Sequence, residues 1–211
     1  IPKKRLGQNF LTDKNTANRL ILEAKISKNN DEVLEIGAGL GALTFILIKN
    51  AKKVHAVEYD FRLYRFLKKY VSNNENLNLI QGDFLKIEIP FYNKVVSNIP
   101  YTMTGPIISK ILLMERIPEI YMIIEKTLAD RMVAKPNDKD YSRLSISVNT
   151  FAQPTIIKEV LPHCFYPVPR IKLAMIKLIP HQKIDNFLRE ERNKKLYLDL
   201  LRGIFPYKNK N

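Results

Sequence analysis

Residues 32–50 read EVLEIGAGLGALTFILIKN. A short apolar run stops at a glycine, two more glycines follow at alternate positions, and an apolar stretch resumes. The first part has the composition of a buried strand, and "GALTFILIKN" reads as a helix. Gly37, Gly39 and Gly41 therefore stand at the carboxyl end of the strand. With no Cβ in the way, a ligand can approach the backbone there, and the following helix presents free N–H groups. Strand, glycine turn and helix make the first part of a βαβ unit, so a second, parallel strand is expected after the helix.

The alternation continues along the chain. "KKVHAVEYD" is a second strand ending in acids. "FRLYRFLKKYVSN" has helical spacing, with Phe61, Tyr64, Leu67 and Val71 on one side and Arg62, Arg65, Lys68 and Lys69 elsewhere. "LNLIQGD" and "KVVSN" are the third and fourth strands, "PIISKILLMER" a helix and "EIYMIIEK" the fifth strand. "LADRMVAK" and "RLSISVNTFA" read as helices, and "TIIKEVL" and "LAMIKLI" as two last strands around the proline-rich "PHCFYPVPRIK". Upstream, Thr12 or Asp13 caps a helix running to about Ala24, with Leu20 and Ile21 on its buried side. These elements predict an α/β fold, a mostly parallel seven-stranded sheet with helices on both faces. The last two strands lack an intervening helix and are expected to pair antiparallel. Beyond Pro180 the composition shifts to the charged helical stretch "HQKIDNFLREERNKKLYLDLLRGIF". Residues 1–180 are read as one domain and 181–211 as a short helical C-terminal tail.

Charge narrows the partners. Thirty-five Lys and Arg against 21 Asp and Glu leave a net +14, which favours RNA, DNA or an anionic membrane surface. The apolar runs fall short of the ~20 residues that span a bilayer, and no apolar segment resembling a signal peptide follows the basic start. A single cysteine, Cys164, permits no intrachain disulfide and fits a reducing cytoplasm. His55, His163 and His181 are scattered, so no metal site is expected.

The strand ends carry the chemistry. Gly37, Gly39 and Ala42 are compatible with a G-x-G-x-x-A dinucleotide fingerprint. Glu58, at the end of the second strand, can accept hydrogen bonds from both ribose hydroxyls of NAD or of another nucleoside. Asp83 ends the third strand, where it can accept from an adenine amino group, with Phe84 against the ring. The fourth strand ends in Asn98-Ile99-Pro100-Tyr101. An exocyclic amine on a planar base is a poor nucleophile because its lone pair is delocalised. Two acceptors, Asn98 Oδ1 and the Ile99 carbonyl, would favour pyramidalisation and localise that pair. Pro100 stiffens the loop, and Tyr101 offers a stacking face. Hydride transfer has no use for an amine-gripping loop, so methyl transfer from a sulfonium donor is the better reading.

On "KKRLGQNFL", "VLEIGAGLGALT", "VEYD", "QGDF", "NIPY", "ADRMVAKPNDKDYSRLSISV" and "CFYPVPRIK", the chain resembles the ribosomal RNA adenine dimethylases, the small-subunit dimethyladenosine transferases. The resemblance runs from Lys3 to about Pro180. It implies a Rossmann-like class I methyltransferase fold using S-adenosyl-L-methionine. It also implies N6-dimethylation of two adjacent adenosines near the 3′ end of small-subunit rRNA, in an immature small ribosomal subunit. By the same resemblance, Asn9 and Leu11, with Gln8 nearby, help close the cofactor pocket. Gly37 and its loop with Gly39 meet the cofactor's amino-acid part, Glu58 its ribose and Asp83 its adenine. Asn98 serves both cofactor and target, and Phe165 lies opposite Tyr101. Three things depart from the family pattern. Glu125 stands where Gln is usual, Ser142 where Gly is usual, and the tail is short, implying a truncated or reduced C-terminal domain. Lys3, Lys4 and Arg5, then Arg131, Lys135, Lys139, Arg143, Arg170 and Lys172, and the tail's Arg189, Arg192, Lys194 and Lys195 are the candidate phosphate contacts. Rival readings are a large-subunit rRNA methyltransferase of the antibiotic-resistance type, an NAD-binding oxidoreductase and a non-catalytic RNA-binding assembly factor. Nothing in the pattern demands more than a monomer.

Overall fold

A computed structural model of the chain describes residue 2 and residues 7–205. Seven strands form one sheet: β2 (Glu32–Ile36), β3 (Lys53–Glu58), β4 (Leu77–Gln81), β5 (Lys94–Asn98), β6 (Glu119–Glu125), β7 (Ala152–Val160) and β9 (Leu173–Pro180). Two short strands, β1 (Phe10–Leu11) and β8 (Phe165–Tyr166), pair antiparallel apart from it. The order is β4-β3-β2-β5-β6-β9-β7, with β2 to β6 parallel and β9 antiparallel to both of its neighbours. The expected antiparallel pair is thus β7 with β9, and β9 wedges between β7 and the parallel strands.

Alternation along the central strands divides the interior in two. Ile120, Met122 and Ile124 of β6 and Ala174, Ile176 and Leu178 of β9 join one core. Tyr121, Ile123, Leu173 and Met175 join the other. A strand buried on both faces needs apolar residues at every position, which explains the unbroken apolar run of "YMII". Each such side chain contributes about 1.5–3 kcal/mol when fully buried.

The helices are α1 (Lys14–Glu23), α2 (Thr44–Asn50), α3 (Phe61–Val71), α4 (Thr104–Leu113), α5 (Lys126–Val133), α6 (Arg143–Phe151) and α7 (Glu191–Ile204). Asp13 caps α1 by accepting from the Thr16 N–H, and Leu20 and Ile21 are buried as expected. Three sequence expectations need correction. The helix after the glycines begins at Thr44, because Gly37, Gly39 and Gly41 all have positive φ and form a turn first. A Cβ at Gly41 would lie 2.7 Å from Leu67 and from Phe45, so helix α3 packs directly on that turn. On α3, Leu67 and Val71 are buried, but Phe61 is 56% exposed. Lys194 is no surface cation: it is buried and donates to the carbonyls of Met114 and Glu115. That bond, with Tyr197 Oη 2.9 Å from Thr150 Oγ1, seats α7 on α4 and α6. Among the described residues, no helix is long and apolar enough to cross a membrane.

Candidate active site

The chain runs outward from β2 to β3 and β4, then returns to β5 on the other side of β2. Ligands of open α/β sheets bind at such a reversal, outside the carboxyl ends of the strands. Here the two strands also part. Their ladder covers Val33↔Lys94 and Leu34↔Val95, and above it the Ile36 N–H donates to Ser97 Oγ at 2.8 Å. The loops after β2 and β5 then face each other across a cavity of about 380 Å³. That volume is within the ~300–1,000 Å³ of small-molecule sites.

Every site residue expected from the sequence borders this cavity. Gln8, Asn9 and Leu11 line it from the N-terminal segment, Gly37 and Gly39 from the turn after β2, and Glu58 from the end of β3. Asp83, Phe84, Asn98, Tyr101 and Phe165 complete the lining. The expected cations Lys3, Lys4 and Arg5 lie outside the described residues.

The glycine turn and the loop after β5 are in close contact. A Cβ at Gly37 would stand 3.7 Å from Pro100 Cδ and 3.9 Å from the Asn98 carbonyl, and one at Gly39 would stand 3.4 Å from the Phe10 ring. With φ of +79° and +59°, neither position suits another residue. Glu58 is 5% exposed. Its Oε2 accepts from the Gly39 N–H and its Oε1 from the Asp60 N–H, both at 2.7 Å. Burial raises its pKa, and these two bonds oppose the rise. Each oxygen keeps a lone pair for a further donor.

Asp83 Oδ1 accepts from the Leu85 N–H at 3.0 Å, so the residue caps its turn and borders the cavity as well. Asn98 Nδ2 donates to the Asn9 carbonyl at 3.1 Å. That contact fixes which end of the amide is which and leaves Oδ1 as the acceptor. Asn9 therefore reaches the site through its backbone. Gln8 Nε2 donates to Asp60 Oδ2 at 3.3 Å, so the N-terminal segment is tied at both ends of the cavity. Phe165 pairs with Leu11 across β1 and β8 and is 2% exposed.

Three residues were not anticipated, Glu35 in the cavity lining and Asp60 and Lys110 bonded to segments that border it. Glu35 is buried beneath the glycine turn and accepts from Thr44 Oγ1 at 2.6 Å. Burial pushes its pKa up to about 8. Its signal was an acid inside an otherwise apolar strand. Asp60, the cap of α3, joins the N-terminal segment to β3, and its signal was an acid just before a helical pattern. Lys110 of α4 donates to the carbonyls of Phe84 at 2.6 Å and Ile87 at 2.8 Å. No sequence pattern points to it, because its partners are backbone oxygens of a distant loop.

The residues present fit an adenosine-bearing sulfonium cofactor. An acid with spare lone pairs ends β3, a second acid follows β4, and Gly37 and Gly39 border the cavity without a Cβ. Known proteins agree. The family model described as "Ribosomal RNA adenine dimethylase" matches residues 2–211. "Probable ribosomal RNA small subunit methyltransferase A" of Thermococcus sibiricus is 39% identical over 209 residues, spanning 99% of this chain and 73% of that relative. The protein of the same name in Methanococcoides burtonii is 38% identical, spanning 96% and 73%. Among solved structures, a dimethyladenosine transferase from Plasmodium falciparum superposes with a TM-score of 0.82 at 31% identity, covering 96% of this chain and 72% of that one. The 23S rRNA methyltransferase ErmE gives 0.77 at 28%, covering 96% and 81%. A match along nearly the whole length, in sequence and in fold, leaves one conclusion: the chain belongs to the ribosomal RNA adenine dimethylase family.

Proposed function

We propose that this enzyme transfers methyl groups from S-adenosyl-L-methionine to N6 of two adjacent adenosines near the 3′ end of small-subunit rRNA. The substrate would be an immature small ribosomal subunit in the cytoplasm, with the enzyme acting as a monomer. The observation that carries the reading is the fixed amide of Asn98, whose nitrogen is held by the Asn9 carbonyl at the point where the two loops face each other.

When bound, S-adenosyl-L-methionine supplies a methyl carbon made electrophilic by its positively charged sulfur. Glu58 would hold the ribose hydroxyls, Asp83 the adenine amine with Phe84 beside the ring, and Gly37 and Gly39 the amino-acid end. Gln8, Asn9 and Leu11 would close the pocket over it. Asn98 Oδ1 and the Ile99 carbonyl would accept from the target amine, whose proton leaves to water after attack. Tyr101, with a stacking energy of about 1–3 kcal/mol, would hold the extruded base, and Phe165, 2% exposed here, would meet the other face of the base only after the β1–β8 pair shifts to uncover it. Positioning supplies much of the acceleration, since neither metal nor covalent intermediate is needed. We read residues 1–180 as the methyltransferase domain and 181–211 as a helical C-terminal part, whose α7 rests on α4 and α6.

The likeness to ErmE favours a second reading, in which one adenosine of large-subunit rRNA is the target. Radiolabelled S-adenosyl-L-methionine offered with immature small or large subunits separates the two. Label in the small subunit, recovered as N6,N6-dimethyladenosine, is expected. Label confined to the large subunit would replace the first reading with the second.

A further inference from the structure

We propose that the outer face of α3 is a second RNA contact, a platform on which a single-stranded segment of the substrate stacks its bases and rests its phosphates. Only the class of partner is taken from the ribosomal RNA reading; the face is identified by its own side chains. α3 carries Arg62, Arg65, Lys68 and Lys69 and no acid. Its buried residues are Leu67 and Val71, while Phe61 is 56%, Phe66 41% and Tyr70 63% exposed. At about 3.6 residues per turn, Arg62, Arg65 and Lys69 form a column along the outside. Phe61 flanks this column on one side, Phe66 and Tyr70 on the other.

These rings are held in place. Phe66 and Tyr70 have centroids 4.9 Å apart, and Phe61 stacks on Tyr64 at 6.4 Å. The Arg65 guanidinium lies 5.9 Å from the Phe61 centroid, and Lys68 Nζ lies 5.7 Å from that of Tyr64. Asp60 takes up part of the Arg62 charge. The face also starts at the active site, because Tyr59, 60% exposed, borders the cavity just before the helix.

Clustered exposed aromatics mark an interaction surface. The interleaved cations say which kind. Protein–protein interface cores are depleted in lysine, though not in arginine or aromatics, so Lys68 and Lys69 disfavour a protein partner, and a second copy of this chain would oppose the same cations to themselves. Single-stranded RNA suits both groups, since every base has a face to stack and every linkage a phosphate to neutralise.

The test uses Phe66→Ser/Tyr70→Ser and Arg65→Gln/Lys69→Gln, with S-adenosyl-L-methionine binding and melting temperature as controls for the fold. The probes are a labelled oligouridylate of about 12 nucleotides, inside the range of single-strand site sizes, and a duplex RNA of the same length. The aromatic pair is expected to weaken single-strand binding about tenfold and duplex binding far less. The charge pair should lower the slope of log K against log salt by about 1.4, two phosphates at ~0.7 each. Photocross-links from 4-thiouridine in the probe should map to residues 61–71. Unchanged affinity in both variants, or cross-links confined to other segments, would overturn the platform. A dimer in sedimentation that the aromatic pair abolishes would assign the face to a second copy instead. Subunit methylation measured on the same preparations keeps the questions apart, because variants that methylate and bind as the parent does sink only the platform.

Discussion

At the scale of single residues, the site depends on which atom of Asn98 faces the target. Its nitrogen is committed to the Asn9 carbonyl at 3.1 Å, so the side chain's remaining capacity is acceptance. On the proposed reading, Asn98→Ala removes one of two acceptors for the target amine in the transition state. By analogy with loss of a single oxyanion-hole donor, kcat should fall about 10²–10³-fold. Affinity for S-adenosyl-L-methionine, which on the proposed reading is shared among Glu58, Asp83 and the glycine turn, should change only a few-fold. Single-turnover kinetics beside calorimetry of cofactor binding checks this, and near-parental turnover would remove Asn98 from the chemistry. That Glu58, Asp83 and Asn98 would border one cavity could be read from their positions at strand ends. Roles set by burial could not. Lys194 reads as one more cation in a charged tail, yet the docking of α7 buries it. Phe61 has the spacing of a buried residue and lies outside, because α3 turns only Leu67 and Val71 fully inward.

At the scale of elements, the two ends of the cavity are joined by one helix. α4 follows closely on the Asn98–Tyr101 loop, and from its last turn Lys110 reaches the loop after β4. There its ammonium holds two backbone carbonyls and lies 4.7 Å from the Phe84 ring centroid. Burial lowers the Lys110 pKa, with Asp83 and Glu88 opposing the shift. The Asp83–Phe84 turn therefore takes its position from α4. Lys110→Met should free that turn and raise the KM for S-adenosyl-L-methionine about tenfold. That corresponds to roughly 1.4 kcal/mol, near the worth of one hydrogen bond to a charged group. KM for RNA and kcat should stay within about twofold, and Lys110→Arg should recover part of the loss. Equal loss in all three parameters would instead mark a general fault in folding. The order of elements could be read from hydrophobic alternation, but this link could not. Nor could the place of β9 between β6 and β7, since antiparallel pairing leaves no mark on which side a strand inserts.

At the scale of the whole molecule, the buried acids beneath the site make stability depend on pH in an unusual direction. Paired carboxylates usually have depressed pKa values, and folds lose stability as acid protonates them. Glu35 behaves in the opposite sense: burial raises it from 4.5 to about 8, with the nearby Glu58 adding to the rise and the Thr44 hydroxyl opposing it. The folded state therefore binds a proton that the unfolded chain releases. Its stabilising contribution is complete below pH 4.5 and is lost progressively as pH climbs to about 8. Glu58 shifts the same way, and His55, lowered mainly by burial, shifts oppositely and finishes its change near its ordinary value of 6.5. A difference between variant and parent removes the His55 contribution and leaves that of Glu35 together with its charge coupling to Glu58. Glu35→Gln keeps an acceptor for the Thr44 hydroxyl and has no charge to bury. Its melting temperature should match the parent's near pH 4.5, exceed it increasingly up to about pH 8, and hold a constant lead of several degrees above that. One kcal/mol corresponds to about 2–4 °C in a chain of this size. A lead that is the same at every pH would mean that Glu35 is ionised in the fold throughout, which would require a cation or water beside it in a space that now holds the Thr44 hydroxyl and the glycine turn.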